Sequence, residues 1–326
     1  METEALPGPA AAAESITAPR GPSSPIREAW IVGRNEFRYL LLSLRTLAPM
    51  AIYAGFAALA VYAYLYTANR AREEAIANIG EGAAEYLTQK SQDITGAVLE
   101  FVGWGTKGDA AELFRDKVPL IVVFFFAISS YFLPLLVAVV TFDQFSELST
   151  RGARFVLLRV RRGSYVAGKA VSAVAAVAAF LLVMWLVVVG VSIAHDGTET
   201  APYAVREGLR GWALMLLLAL PYLSVTALIS SFVRPGLAFL LTLGAWVAMW
   251  IGGGIVNTLL PWMLNRWGFP SAADAERHLL AIFPWHHAPK LISRDGATLA
   301  SGAGALLLLA AIGYLLTWFV VRRRDV

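Results

Sequence analysis

The chain has 326 residues, of which 58% are hydrophobic and only 15% charged, with ten Trp, 27 Gly and no Cys. A soluble domain carries about a quarter charged residues, so this composition excludes a soluble globular protein. The missing Cys excludes a disulfide scaffold and a thiolate metal site, and the formal net charge of +4 is distributed unevenly along the chain.

Residues 1–24 are mostly Ala, Pro, Gly and Ser, with Glu2, Glu4 and Glu14 among them. Such a segment cannot bury a core, and it lacks the basic start and apolar run of a signal peptide, so a disordered, retained tail is expected. Ser24 then offers an N-cap with Pro25 at the first helical position, opening an amphipathic interfacial helix over 25–46. Arg27, Arg34, Arg38 and Arg45 are spaced to stack in one stripe, with Ile26, Trp30, Phe37, Leu40 and Leu44 roughly a quarter-turn away. This pattern suits an elbow helix in the headgroup layer, its Arg side chains reaching phosphates. The alternative is a juxtamembrane helix that only anchors the following span to anionic lipid.

Six windows then lack any Asp, Glu, Lys, Arg or His: Leu47–Tyr66, Val118–Thr141, Ala170–Ala194, Trp212–Phe232, Gly236–Leu260 and Ala303–Val321. About 20 apolar residues cross a hydrocarbon core of roughly 30 Å. The expected fold is therefore an all-α integral membrane protein, residues 47–326 forming a six-span domain behind the elbow helix. Counting connections alternately, the side holding both termini has 15 Lys and Arg against 8 acids, and the other side 12 against 15. The Arg-rich connection 151–162 and Arg322-Arg323-Arg324 lie close to span ends, which places both termini in the cytoplasm.

The first span is expected to continue as a helix through Asn69–Glu74. Pro134, Pro221 and Gly252-Gly253-Gly254, followed by Asn257, predict local kinks or breaks. These features serve packing, or else mark a pathway at Pro134, Gly253 and Asn257. Small residues from Ser172 to Ala179 suit a close helix contact. The outer connection 261–302, with Trp262, Trp267 and Trp285, predicts short interfacial helices or a folded loop.

Chemistry-bearing patterns are few. Gly163 to Lys169 fits G-x-x-x-x-G-K, but Ala170 stands where a phosphate loop needs a hydroxyl, and no strand precedes it. His278, His286 and His287, near Asp274 and Glu276, match no metal-ligand spacing and read as surface or interfacial histidines. Acids and histidines are absent from every window, which disfavours a proton relay. Ser129, Ser130, Ser224, Thr226, Ser230, Ser231 and Thr242 have no base beside them in the windows and are expected to bond their own helix backbone. No catalytic, cofactor or metal residues are assigned, and the chain is not expected to be an enzyme.

The connection after the second window contains Glu147, Arg151-Gly152, Arg154, Leu157-Leu158, Arg159, Arg162 and Gly168-Lys169. It resembles the permeases of the ABC-2 type, in which an acidic residue is followed by a basic residue and Gly, a Leu pair, and an Arg six residues before a Gly-Lys pair. It departs from that pattern at Ala153, where Thr is usual, and at 159–162, which lacks the usual Pro. The resemblance implies a membrane-spanning subunit, most often an exporter, in the bacterial inner membrane. It also implies two permeases, the same chain twice or two related chains, and a separate ATP-binding-cassette subunit that holds ATP and Mg. Glu147, Arg151, Gly152, Arg154, Leu158, Arg159, Arg162, Gly168 and Lys169 would then seat on the ATPase. Trp30, Arg34, Phe37 and Arg38 would contact membrane lipids, and no nucleic acid is implied. An Arg-rich connection serving only topology, a scaffold or sensor recruiting a cytoplasmic partner, and a gradient-driven secondary transporter are the rival readings.

Overall fold

A computed structural model describes residues 24–82, 120–146, 160–196, 201–266, 281–293 and 295–323, with a few positions between 85 and 97. The described elements are helical: α1 (Pro25–Leu42), α2 (Leu44–Ile79), α3 (Leu120–Thr141), α4 (Arg162–Asp196), α5 (Ala201–Phe232), α6 (Pro235–Arg266), α7 (Ala288–Ile292) and α8 (Gly296–Arg323). Among them α2, α4, α5 and α8 are long and apolar enough to cross a membrane. Shorter apolar stretches lie in α3 (Phe132–Thr141) and α6 (Pro235–Ala248).

Local chemistry sets the boundaries. Ser24 Oγ accepts from Arg27 N at 3.3 Å, with Pro25 in the first turn, as the sequence suggests. Ser43 is extended (φ −73°, ψ 137°), and its hydroxyl bonds Leu40 O at 2.9 Å and Thr46 Oγ1 at 3.0 Å, so α1 stops at Leu42 rather than 46. The first spanning helix runs on past Glu74 to Ile79, where Gly80 adopts a φ of 64° that residues with a Cβ seldom tolerate. Asp295 opens α8, accepting from Thr298 N at 2.9 Å and Thr298 Oγ1 at 2.6 Å, and these bonds hold its carboxyl below the usual range.

The backbone corrects one expectation. The helix α6 is continuous through Gly252-Gly253-Gly254, without the break anticipated there. Each helical Gly costs about 1 kcal/mol relative to Ala, but inside a bilayer a broken turn leaves backbone N–H and C=O groups unsatisfied at several kcal/mol each, which outweighs that. Pro134 and Pro221 likewise lie inside uninterrupted helices.

The centre of the bundle is α4 with α5; α1, α2 and α8 pack on α4, and α3, α6 and α8 on α5. Trp185, Phe180, Leu181, Met215, Leu218 and Leu133 are fully buried between them. Apolar helices gain no hydrophobic drive from meeting one another in lipid, so close packing through small residues matters more. A Cβ on Gly211 would lie 2.4 Å from the Trp185 ring, and one on Gly313 would lie 2.3 Å from Ser224 Oγ. The small-residue start of the third window is also a contact: Ser172, Ala173, Ala176 and Val177 are buried, and Trp212 Nε1 donates to Ala178 O at 2.9 Å.

Candidate functional site

The feature that positions the predicted coupling region is the docking of α1 along the first turns of α4. Three contacts fix it. Glu28 Oε2 accepts from Arg161 N at 3.1 Å, placing a carboxylate at the positive end of α4. Gly168 lies so close to α1 that a Cβ there would meet Ala29 O at 2.6 Å and Val32 Cβ at 2.9 Å, and Gly33 faces it. Lys169 Nζ pairs with Glu36 Oε1 at 3.2 Å, the lysine side chain 3% exposed.

Neighbouring segments lock onto the same place. Gln144 Nε2, fully buried, donates to Lys169 O at 2.6 Å, and Phe145 N donates to Ser230 Oγ at 3.3 Å. The rings of Phe145 and Tyr165 meet edge to face, their centroids 6.1 Å apart. The Arg162 guanidinium donates to Arg322 O, capping the last turn of α8. Trp318 lies beside Gly163 under the Arg322 guanidinium, 5.2 Å from its ring. One end of the bundle thus unites α1, the end of the second window, the start of α4 and the end of α8, with Arg161, Arg162, Arg322 and Arg323 around it.

Of the residues expected to couple, Arg162, Gly168 and Lys169 belong to this junction, whereas Glu147, Arg151, Gly152, Arg154, Leu158 and Arg159 lie outside the described residues. Gly163 to Lys169 is a helical stretch of α4, and its lysine is engaged by Glu36 rather than exposed at a loop tip. Trp30, Arg34 and Arg38 are exposed on α1, and Phe37 is half-buried against the main core. Pro134 is buried in α3. An apolar cavity of about 40 Å³ is bordered by its neighbour Leu133 together with Tyr53, Phe56, Ser129, Met184 and Met215, and Pro134 does not line it. Gly253 and Asn257 lie on α6, and the surroundings of both fall outside the described set.

The hydroxyls of Ser224, Thr226, Ser230 and Ser231 bond carbonyls of their own helix at 2.7–3.0 Å. At the opposite end, Arg210 donates to Ser293 O at 3.1 Å and lies 3.7 Å from the buried Glu207 carboxylate, tying α5 to the turn before α8. In the 3-10 turn Pro284–His287 that precedes α7, His287 Nε2 is 2.9 Å from Ala281 O, while its Nδ1 is buried without a hydrogen-bond partner among the described residues. Burial depresses the pKa of both His286 and His287, and nearby Lys290 adds to it. His278, Asp274 and Glu276 lie outside the described residues.

The sequence reading missed Glu28 and Glu36 as docking residues. It also placed the apolar stripe of the helix at Ile26, Trp30, Phe37, Leu40 and Leu44: Leu40 is buried and Phe37 packs on the core, but Ile26 and Trp30 are exposed, and the packed face runs through Ala29, Val32, Gly33, Glu36 and Leu40. Their spacing of three and four was the available signal; small and charged residue types hid it.

The model of the ABC-2 family transporter proteins matches residues 30–325, nearly the whole chain and all of the junction described above except Glu28 and Ala29. The chain belongs to this family and is a multi-pass membrane protein of the ABC transporter permease kind. A search of curated proteins finds no match.

Proposed function

We propose that this chain is the membrane-spanning subunit of an exporter in the bacterial inner membrane. ATP hydrolysis by a separate cassette subunit, which holds ATP and Mg, moves its helices. The family match across 30–325 carries the reading. In it the chain crosses the bilayer six times, with both termini in the cytoplasm and the basic end of the bundle on that side. Two copies, or this chain and a related one, form the pathway, with Pro134, Gly253 and Asn257 as its candidate residues.

The segment 147–159 would seat on the ATPase through Glu147, Arg151, Gly152, Arg154, Leu158 and Arg159. Arg162, Gly168 and Lys169 would then act one step behind, joining that segment to α1. The contacts of Glu28, Gly168 and Lys169 support this division, because they make α1 and the start of α4 a single body through which a push at 147–159 would travel.

The test is ATP hydrolysis by the cassette subunit reconstituted in vesicles with and without this chain. A permease changes the hydrolysis rate, and the change persists when ion gradients are collapsed. An unchanged rate at full complex occupancy favours a scaffold, and solute flux without the ATPase favours a secondary transporter.

A further inference from the structure

Within the bundle, α2, α3, α4 and α5 leave an apolar cavity of about 40 Å³ between them. Leu133, Leu181, Met184 and Met215 form its floor, none more than 3% exposed, and the small side chain of Ala57 leaves space on the α2 side. Two other lining residues reach the outer surface: Phe56 on α2 is 62% exposed and Phe132 on α3 is 39% exposed. The cavity therefore opens between those two helices. Phe56 lies twelve residues after Leu44 and Phe132 nine before Thr141. At 1.5 Å per residue both stand roughly 14–18 Å from the α1 end of the bundle, about halfway through a hydrocarbon core of roughly 30 Å.

Water does not suit this space. A buried water needs roughly two to four polar partners, and the lining offers hydroxyls only at Ser129 and Tyr53. The volume is also well below the roughly 150 Å³ of an apolar cavity that takes benzene, which disfavours a ring and leaves room for the last carbons of an aliphatic chain. Met184 and Met215, unbranched and adaptable, can shift to fit such a guest. A chain entering from the bilayer gives up no apolar contact, because its surroundings are equally apolar, and it supplies the partner atoms that the walls of an empty void lack.

We propose that this cavity is a binding site for the end of a hydrocarbon chain, admitted between Phe56 and Phe132 and held against Met184 and Met215. The chain belongs to a bilayer lipid or to a single-chain apolar molecule that the protein handles. The proposal does not depend on the ATPase reading, and its test uses the permease alone.

The experiment places the full-length permease in phosphatidylcholine vesicles that contain one of two photoreactive probes: phosphatidylcholine with a diazirine at the end of one acyl chain, or hexadecanol with a diazirine at its chain end. After illumination, adducts are mapped by mass spectrometry. Labelling of the buried residues Leu133, Met184 or Met215 is expected, beside the general labelling of exposed residues such as Leu308. Buried label from the lipid probe identifies a bilayer chain as the occupant, and buried label from hexadecanol alone identifies a single-chain molecule; either supports the site. The variant Ala57→Leu fills the cavity and should remove the label from Met184 and Met215 while leaving it at Leu308. Ala60→Leu, at the half-buried rim, serves if the first variant does not fold. Label confined to exposed residues with both probes overturns the proposal, including the case in which a second copy covers the mouth. Buried label that survives filling in a folded variant overturns it as well.

Discussion

Glu36 and Lys169 are 133 positions apart and meet at 3.2 Å, the glutamate 16% and the lysine 3% exposed. Removing one partner leaves the other charge buried, which typically costs about 3 kcal/mol or more. Lys169→Met and Glu36→Gln should each lower the thermal midpoint clearly, and the exchange E36K/K169E should recover part of the loss. Additive effects in the exchanged protein would show that the two residues act separately.

The Gly168 contact makes a sharper prediction because it has an internal control. A methyl group at Gly168 meets Ala29 O and Val32 Cβ, both belonging to a helix that must shift, whereas Gly244 has nothing within 4 Å of the same position. Gly168→Ala should destabilise by about 1–2 kcal/mol through overpacking. Gly244→Ala should be neutral or slightly stabilising, as expected of an unobstructed helical glycine. Unfolding midpoints of the two variants, measured side by side in one detergent, decide it.

His286 and His287 set a pH dependence on the far end of the bundle. Their pKa values in the folded protein lie below the ordinary 6.5 because burial disfavours the charged form, with Lys290 adding to it and the His287 charge acting on His286. As pH falls through 6.5 the unfolded chain takes up protons first. Stability from this turn is therefore full above about pH 6.5 and declines below it, until the folded protein protonates too. The Arg210 guanidinium, bonded to Ser293 O, adds a further positive charge beside the turn. Midpoints measured from pH 8 to pH 5 should fall more steeply in the parent than in a His286→Gln/His287→Gln variant. Parallel profiles would remove the histidines from the account.

The legibility of the fold follows the range of the interactions. The start of α1 was readable because Ser24, Pro25 and Arg27 act within one turn. The helices at the six apolar windows were readable because an apolar run needs no distant partner to declare itself. Their ends were not: α5 begins at Ala201, well before its window, because Glu207 and Arg210 pair with each other and Arg210 with the turn at Ser293. Gly168-Lys169 stood out as a motif, yet what it does at the junction depends on Gly33 and Glu36, and no local pattern names a partner 133 residues away. The docked face of α1 was hidden because Gly33 and Glu36 contact their partner through close approach and charge rather than apolar area. Gly252-Gly253-Gly254 pointed to a break because glycine permits one, but permission alone does not interrupt a helix.

The central claim is that this permease works through a separate ATPase seated on 147–159, and co-purification tests it most directly. Because Arg162 also caps α8 through Arg322 O, the cleaner variant reverses Arg154 and Arg159 to Glu and spares Arg162. The tagged parent, isolated from its native membranes in mild detergent, should bring with it a chain that hydrolyses ATP. The reversed variant, with an unchanged unfolding midpoint, should come alone. A well-folded parent with no ATPase, or a reversed variant that keeps it, would contradict the account.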